Sequence, residues 1–323
     1  MKPVSRWLVL GIAGSALFAS SVAQAQGTKS TRLLVPFAAG GPADFVARSL
    51  TEKLGGPLGS TVIIDNRPGA NGSIAAQATA KAELDGSTLL FATSGMLTIS
   101  PVLEKNLPYD PLKDLAPVSR VVNNGTAMIV GANFPANNLR EFLQVVRSRK
   151  DPLAFGSAGT GNILHLYLEV FKDAAKVDIT HVPYKGIAPA MTDVIGGQIA
   201  GAFADLPISL PQIKAGKVKA LGLVGTQRSA AAPDIPTLAE QGVAGVDGVS
   251  WYGVLAPGKT PADTVKRISE ALAKALSDPE LRQKFQASGA EAAPTTPEET
   301  VRLIQADQAR WAKIVAARKI TLD

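Results

Sequence analysis

The sequence predicts an α/β fold built as two units. From Leu33 to Val122 short apolar runs alternate with helical patterns, and the same alternation returns between Thr126 and Val224. Repetition of strand, turn and helix predicts a mostly parallel sheet covered by helices. Length agrees, because removing a predicted 25-residue leader from 323 residues leaves 298, which is large for one core and sufficient for two lobes.

The first unit opens with the stretch around which the rest of the chain is organised, Leu33–Leu50. Leu33-Leu34-Val35 is a short apolar run typical of a buried strand, Phe37–Gly41 forms a turn, and a helix begins at Pro42. One face of this helix is apolar and carries Ala43, Val46, Leu50 and Leu54. Strands are also expected at Thr61–Ile64 and Thr88–Ala92, with a helix of small residues ending at Lys81 between them.

The second unit repeats this pattern. Its predicted strands are Thr126–Val130, Leu153–Phe155, Asp178–Val182, Ala200–Phe203 and Lys219–Val224. Its predicted helices lie near Leu139–Arg149, Ile163–Lys172, Ala188–Ile195 and Leu206–Ala215. Because ligands bind beyond the carboxyl ends of the strands in such sheets, the turns that follow these strands are the candidate site.

The C-terminal part returns to the first unit. Ser250–Leu255 has the composition of a strand, and helix starts are predicted at Thr260–Asp263 and Thr296–Glu299 from their caps, prolines and acids. The sequence therefore divides into a leader at 1–25, a first lobe at 26–125 and 250–323, and a second lobe at 126–249.

The N-terminus has the features of a secretory signal peptide. Lys2 and Arg6 precede an apolar run from Trp7 to Phe18, and Ala23-Gln24-Ala25 is a small-residue cleavage pattern, so cleavage is expected near Ala25. No later stretch supplies the roughly 20 apolar residues of a membrane span. The chain has no cysteine, which excludes disulfides, thiolate catalysis and a lipoprotein anchor.

The charge pattern argues against nucleic-acid binding. The net charge is +6 for the whole chain and becomes +4 once Lys2 and Arg6 leave with the leader. This mild excess is spread along the chain without clusters of Lys, Arg and aromatic residues. It modestly favours the approach of small anions.

The turn Phe37–Gly41 is the first candidate for ligand binding. Gly40 and Gly41 let the backbone come close to a bound group, and Pro42 suits the first position of a helix. Free N–H groups at a helix start favour a carboxylate or phosphate, so we expect an anion-binding loop. Asp44 either contacts the ligand or is an ordinary acid in the first helical turn.

A second candidate is the loop Ser157–Asn162. Gly159-Thr160-Gly161 resembles a dinucleotide fingerprint, but Leu164 stands where its third glycine or alanine belongs, so nucleotide binding is disfavoured. The Ser157 and Thr160 hydroxyls and the backbone N–H groups of this loop are suited to holding an oxyanion, against the alternative of a plain capped turn.

Several single residues have a structural and a functional interpretation. His165 either contacts the ligand or is a hydrogen-bonded structural histidine, whereas His181 is expected to pack inside its strand. Asp205 either receives a ligand ammonium or hydroxyl or caps a helix. Lys185 is either a solvated turn lysine or an attractant for an anion, and Trp251 and Tyr252 either wall a pocket or fill the core. No motif for a metal or for a hydrolase nucleophile accompanies the two histidines.

Five segments resemble one known family. VPFAAGGPADFVAR, DNRPGANGSIAAQ, VPYKGIAPAMTDVIGGQIAGAF, LPISLPQIKAGKVKALG and SWYGVLAPGKTP look like the signature segments of the substrate-binding proteins of tripartite tricarboxylate transporters, the Bug family. The resemblance runs from about Arg32 to the C-terminus. It implies a two-lobe periplasmic binding protein of type II, a Venus-flytrap α/β fold with crossover strands, that captures a carboxylate and delivers it to a membrane permease.

The resemblance also implies site residues. In the first lobe they are Phe37, Ala38, Ala39, Gly40, Gly41, Asp44, Thr93 and Ser94. In the second lobe they are Ser157, Thr160, Gly161, Asn162, His165 and Asp205. The resemblance implies no metal, cofactor or nucleic acid. The expected partners are a small organic carboxylate and the membrane permease subunits of a tripartite transporter, and the receptor is expected to be a monomer.

Three departures from the family pattern bear on the ligand. Ala39 replaces the usual proline before the paired glycines, and the segment Asn162-Ile163-Leu164 lacks the usual hydroxyl residues, which makes the wall less polar. The frequent Phe-Asp pair is Phe203-Ala204 here, with an acid only at Asp205. An amino-acid ligand would lack its usual partner for the ammonium, so we expect a ligand without an amine.

Two alternative functions remain at the level of sequence. One is a periplasmic sensor subunit that passes the closed state to a signalling partner. The other is an exported hydrolase or isomerase that uses His165 with Ser157. The main prediction is a receptor without catalytic activity.

Overall fold

Two β-sheets form the framework in the part of the chain that the computed structural model describes, residues 30–318 and 320–321. The predicted leader at 1–25 lies outside the described residues. The strands are β1 Ser30–Val35, β2 Thr61–Asn66, β3 Thr88–Thr93, β4 Leu115–Asn124, β5 Thr126–Gly131, β6 Leu153–Ser157, β7 Ile179–Pro183, β8 Gly201–Asp205, β9 Val218–Leu223, β10 Ser250–Pro257 and β11 Ala290–Ala292. The first sheet has the order β11-β4-β10-β3-β1-β2, and the second β7-β6-β8-β5-β9.

Helices cover both sheets. They are α1 Pro42–Leu58, α2 Ser73–Ala80, α3 Ser100–Leu103, α4 Leu139–Ser148, α5 Ile163–Ala175, α6 Ile187–Ile195, α7 Leu206–Lys214, α8 Ala262–Leu276, α9 Pro279–Ser288 and α10 Pro297–Arg318. The predicted apolar face of α1 is confirmed, because Ala43, Val46, Leu50 and Leu54 are all buried. Between residues 30 and 318, no helix has both the length and the apolar character to cross a bilayer.

The prediction of mostly parallel sheets is wrong. β1 is parallel to β2 and β3, and β6 is parallel to β7 and β8. However, β10 is antiparallel to β3 and β4, and β5 is antiparallel to β8 and β9. The reason is the hinge, the region where the chain crosses from one lobe to the other. β5 and β10 each begin at this hinge and run away from it, whereas their neighbours β3, β4, β8 and β9 run towards it.

A single glycine separates β4 from β5 at one of these crossings. Gly125 donates its N–H to the Gly289 carbonyl at 3.0 Å, and its own carbonyl accepts from the N–H of Leu206 at 2.8 Å. A Cβ atom at this position would lie 2.6 Å from Leu206 Cδ1 and 3.2 Å from the Gly289 carbonyl oxygen, so any larger residue would displace the buried Leu206 side chain. The hinge is therefore closely packed at this point.

The last helix, α10, contacts both lobes. Near its middle, the Asp307 carboxylate accepts a hydrogen bond from Trp251 Nε1 at 2.8 Å in the first lobe. Near its end, the Arg318 guanidinium donates to Asp173 of α5, in the second lobe, at 2.9 Å. The sequence predicted that 250–323 belongs to the first lobe. In the structure, the end of α10 also packs on the second lobe.

Candidate functional site

The N-cap residues of four helices line one cavity between the lobes. They are Gly41 before α1, Asn162 before α5, Gly186 before α6 and Asp205 before α7. The first N–H groups of a helix have no acceptor within it, and the aligned peptide dipoles make this end electropositive. Four such ends at one cavity favour an anion.

The cavity is narrow. The centre of a water-sized sphere can move through about 30 Å³ of it, and one water needs roughly 10–15 Å³ on this measure. The lobes meet at its rim, where Asn162 Nδ2 of the second lobe donates to Asn71 Oδ1 of the first at 3.5 Å. The described conformation is therefore one in which the lobes have closed on each other.

Apolar and neutral side chains dominate the wall. The lining residues are Phe37, Ala38, Gly41, Pro42, Ala43, Thr93, Ala158, Asn162, Ile163, Leu164, Gly186, Ile187, Ala188, Pro189, Asp205, Ser250 and Tyr252. None of these is lysine, arginine or histidine. An anion in this cavity would consequently be held by N–H groups and hydroxyls rather than by a cationic side chain.

Thr93 supplies a hydroxyl that is free to bind a ligand. The residue ends β3 and is only 4% exposed, and its Oγ1 has no hydrogen-bond partner within the described chain. Buried hydroxyls are normally paired, because leaving one unpaired costs about 1–3 kcal/mol. A ligand oxygen would remove this cost, which favours Thr93 as a direct contact.

Asp44 shapes the first loop. Its carboxylate accepts from the Gly40 N–H at 3.0 Å, from Arg48 Nε at 2.8 Å and from Asn66 Nδ2 at 3.0 Å. Burial works to raise the pKa of Asp44, but these hydrogen bonds together with the charge of Arg48 hold the pKa below its ordinary value. Asp44 is buried behind the loop, and Gly40 takes a positive φ of 86° that glycine readily adopts.

Histidines support the second loop. His165 Nδ1 accepts the Gly161 N–H at 3.2 Å, and its ring stacks on that of His181 with centroids 3.8 Å apart. His181 Nε2 lies 2.6 Å from Ser157 Oγ. Burial first, and then the neighbouring positive charge, lower the pKa of His165 to about 3 and that of His181 to about 4. Both rings are therefore neutral at pH 7 and fix the loop from behind.

These two histidines predict loss of stability in mild acid. Above an unfolded pKa of about 6.5 they are neutral in both states, whereas below it only the unfolded chain takes up protons. The free energy of unfolding should fall by up to about 1.4 kcal/mol per pH unit and per histidine from pH 6.5 towards pH 4. Urea unfolding at half-unit steps of pH measures this slope.

The control is His181→Gln, which removes one titrating ring. Its slope between pH 6.5 and 4.5 should be about half that of the wild type, since one histidine remains. Equal slopes in the two proteins would contradict the assignment of this acid sensitivity to the stacked rings.

The hydrolase alternative depended on His165 and Ser157 forming a pair, and this pairing is wrong. Ser157 contacts His181 instead, because the carboxyl end of β6 lies beside β7 in the sheet. The Ser157 side chain is completely buried and also donates to the Gly159 carbonyl at 3.1 Å. A substrate therefore has no access to this hydroxyl in the described conformation.

Asp205 ties three elements together at the hinge. Its carboxylate accepts from Thr126 Oγ1 of β5 at 2.9 Å, from Ser250 Oγ of β10 at 3.4 Å and from the Tyr252 hydroxyl at 2.5 Å. Burial raises the pKa of Asp205, and the three hydroxyl donors counteract part of that rise. The side chain makes no capping hydrogen bond to α7, so the capping interpretation is wrong.

The predicted site residues fall into three groups. Those that line the inner cavity are Phe37, Ala38, Gly41, Thr93, Asn162 and Asp205, whereas Thr160 lines the outer part of the cleft. Ala39 and Gly40 are exposed at the tip of the first loop. Those buried behind the wall are Asp44, Ser94, Ser157, Gly161 and His165. Ser94, for example, accepts the Trp251 N–H at 3.4 Å.

Sequence reasoning missed part of the wall. The start of α6, Ile187–Pro189, lines the cavity, as does Ser250 at the start of β10. Of the two aromatic residues for which a pocket wall was one interpretation, Tyr252 lines the cavity and Trp251 does not. The turn that ends at Gly186 could be predicted from the sequence. The residues that follow it, Ile187–Pro189, are apolar, so nothing in their chemistry indicated a binding role. Elsewhere in residues 30–318, no three His, Asp or Glu side chains are grouped closely enough to hold a metal ion.

Two α/β lobes that close on a cavity lined by four helix N-caps are typical of a solute-binding protein of the periplasmic type. The chain matches the model of the tripartite tricarboxylate transporter family receptor, TctC, over residues 46–320, and it belongs to that family. The fold and family expected from the sequence are thereby confirmed.

Solved structures support the same conclusion. The periplasmic binding protein BugD is 33% identical, with a TM-score of 0.87 over 90% of this chain and 98% of that chain. MatC (Rpa3494) from Rhodopseudomonas palustris, with bound malate, is 32% identical, with a TM-score of 0.83 over 88% and 99%. R. palustris Rpa4515, with adipate, is 32% identical, with a TM-score of 0.88 over 92% and 99%.

Proposed function

We propose that this protein captures a small organic carboxylate between its lobes and delivers it to the permease of a tripartite tricarboxylate-type transporter. The observation that carries the proposal is the convergence of four helix N-termini and the unpaired Thr93 hydroxyl on one cavity. Malate and adipate, bound by two related proteins, are both dicarboxylates, which agrees with an anion site of this kind.

Binding would couple to closure of the lobes. N–H groups from α1 lie on one lobe and those from α5 and α6 on the other, so a carboxylate between them stabilises the closed state. The permease would then recognise the surface of the closed conformation. Thermal unfolding with and without added carboxylates tests the binding step, because a ligand at a hundredfold excess over Kd adds about 2.7 kcal/mol.

A panel of acids defines the ligand. We expect amine-free carboxylates to raise the Tm and glutamate and aspartate not to, since the Asp205 oxygens already accept three hydroxyl donors. Mass spectrometry of the acid that remains bound after purification identifies the natural ligand. Clear stabilisation by the amino acids would overturn the preference, and no stabilisation by any carboxylate would overturn the function.

Export and assembly belong to the same proposal. The leader, cleaved near Ala25, would place a monomeric receptor in the periplasm, where the family's transporters collect their solutes. N-terminal sequencing of the exported protein and light scattering with and without ligand test these two points.

The alternatives are separated by simple experiments. A sensor predicts that deletion of the gene abolishes induction of target genes while uptake of the acid continues, whereas a transport receptor predicts loss of uptake. We propose no catalytic activity, because the Ser157 hydroxyl is buried and paired with His181. Recovery of the bound acid unchanged after long incubation is the expected result.

A further inference from the structure

A glycine of the first lobe lies against the beginning of α5 in the second. Gly95 is buried just after β3, and a Cβ atom added to it would lie 3.1 Å from the Ile163 nitrogen and 3.5 Å from Asn162 Cα. The three nearest atoms all belong to the backbone at the start of α5. Gly95 lines neither the inner cavity nor the outer part of the cleft, so it contacts the opposite lobe rather than a ligand.

Asn71 makes a second contact with the same helix start. Its Oδ1 accepts the hydrogen bond from Asn162 Nδ2 at 3.5 Å, while Asn162 Oδ1 caps α5 by accepting the Leu164 N–H at 3.0 Å. Asn71 has φ 46° and ψ 35°, a left-handed conformation that asparagine tolerates better than most residues. Its Nδ2 donates to Ser100 Oγ at 3.0 Å, which fixes the side chain. The inter-lobe contact thus consists of Asn71, Gly95, Asn162 and Ile163.

A π-helical turn, Gly95–Ile99, holds Gly95 in position. Single π-helical turns are rare and are frequent at functional sites. In an α-helix the Leu97 carbonyl would accept from the N–H of residue 101, but Pro101 has no N–H. The carbonyl accepts instead from Gln308 Nε2 of α10 at 2.8 Å. A side chain distant in sequence therefore replaces a missing backbone donor and stabilises the turn.

The helix that carries Gln308 is also attached to the second lobe. Arg310 donates to the Asp247 carboxylate at 2.6 Å, and Arg318 donates to the Val170 carbonyl of α5 at 3.0 Å. α10 is thus bonded to the π-helical turn at one point and to α5 itself at another. The hydrogen bond of Gln308 is in this way connected to the position of the helix whose first N–H groups face the cavity.

We propose that Gly95 and Gln308 are positioning residues that set the affinity for the ligand without touching it. Gly95 allows α5 to come close enough for its first N–H groups to share a carboxylate with those of α1, and Gln308 keeps the turn of Gly95 in place. The proposal rests on the proposed function and specifies which contacts hold the closed state. The contact of position 95 with α5 is lost when the lobes separate, so a substitution there acts on the closed state.

Gly95→Ala tests the inter-lobe contact. The φ of Gly95 lies outside the left-handed region, so alanine fits the backbone, but a Cβ at 3.1 Å from Ile163 requires α5 to move away. The affinity for adipate or malate, the acids bound by two related proteins, should fall about tenfold in isothermal titration. Stopped-flow measurements should show faster dissociation and an unchanged association rate, because the ligand enters the open state.

Gly56→Ala is the matched control for this substitution. Gly56 is an exposed glycine of α1, and a Cβ atom there would have no neighbour within 4 Å. Its affinity and its dissociation rate should equal those of the wild type.

Gln308→Met tests the support of the turn. Methionine has a similar length but no hydrogen-bond donor, so the Leu97 carbonyl loses its partner. Ligand dissociation should become about threefold faster, an effect that a purely structural role would not produce. Gln305→Met is the matched control, because Gln305 is exposed one turn earlier on the same helix. The double variant of Gly95 and Gln308 should lose less affinity than the product of the two single effects, since both act through one turn.

The outcomes separate this inference from the function itself. Wild-type affinity and dissociation rate in Gly95→Ala would exclude the positioning role, while the carboxylate receptor would stand. Loss of stability in Gln308→Met with an unchanged dissociation rate would show that Gln308 only supports the fold. If the wild type binds neither adipate nor malate nor any other carboxylate, the proposed function fails and this inference fails with it.

Discussion

Gly41→Val is expected to weaken carboxylate binding about a hundredfold and to leave the fold intact. Gly41 has φ −83° and ψ 174°, an extended conformation that valine adopts readily, and an added Cβ would meet only the Ala38 carbonyl at 3.7 Å. The backbone can therefore accept the substitution. The cavity cannot, because Gly41 is part of the wall and the free space is about 30 Å³.

The expected loss of affinity is about a hundredfold, which corresponds to the upper part of the cost of overfilling a packed site. Isothermal titration with adipate measures it, and circular dichroism and Tm report the fold. Gly56→Val is the matched control, since Gly56 is an exposed glycine of α1 with no atom near its Cβ position. Retention of normal affinity by Gly41→Val would contradict the placement of the ligand at this loop.

Asp205→Ala is expected to lower the free energy of unfolding by about 3 kcal/mol, since it leaves buried hydroxyl donors without an acceptor. The Asp205 carboxylate is 3% exposed and accepts from Thr126, Ser250 and Tyr252, which belong to strands that enter the lobes from the hinge. Urea unfolding gives the loss of stability.

Tyr252→Phe refines this test. It removes one hydroxyl donor, and the Asp205 carboxylate keeps its donors Thr126 and Ser250, so the substitution should cost about 1 kcal/mol. The double variant should cost less than the sum of the two single variants. Additive effects would show that the 2.5 Å contact between Tyr252 and Asp205 contributes no coupling. Ligand affinity should also fall in Asp205→Ala, because the hinge strands carry both halves of the site.

The contacts of Asp44 and Asp205 show where local sequence reasoning stopped. Each acid stands beside a helix start, and each had a ligand role as one open interpretation. The alternative was an ordinary acid of the first helical turn for Asp44 and a helix cap for Asp205. In the structure, Asp44 binds the Gly40 N–H and Asn66, and Asp205 binds residues 79 and 45 positions away in the chain. Partners so distant in sequence become visible only when the sheets are assembled.

The sequence by itself determined most of the strands and helices, the two-lobe fold and the glycine turns before α1 and α6, but it did not predict β4, β11, α3 or α9. It could do so because hydrophobic period, helix caps and glycine conformation act over a few neighbouring residues. The tertiary structure alone decided the antiparallel hinge strands, the pairing of Ser157 with His181 and the inclusion of Tyr252 in the wall. These three features depend on which segments come into contact after the chain crosses between the lobes. Local sequence patterns contain no information about such long-range contacts.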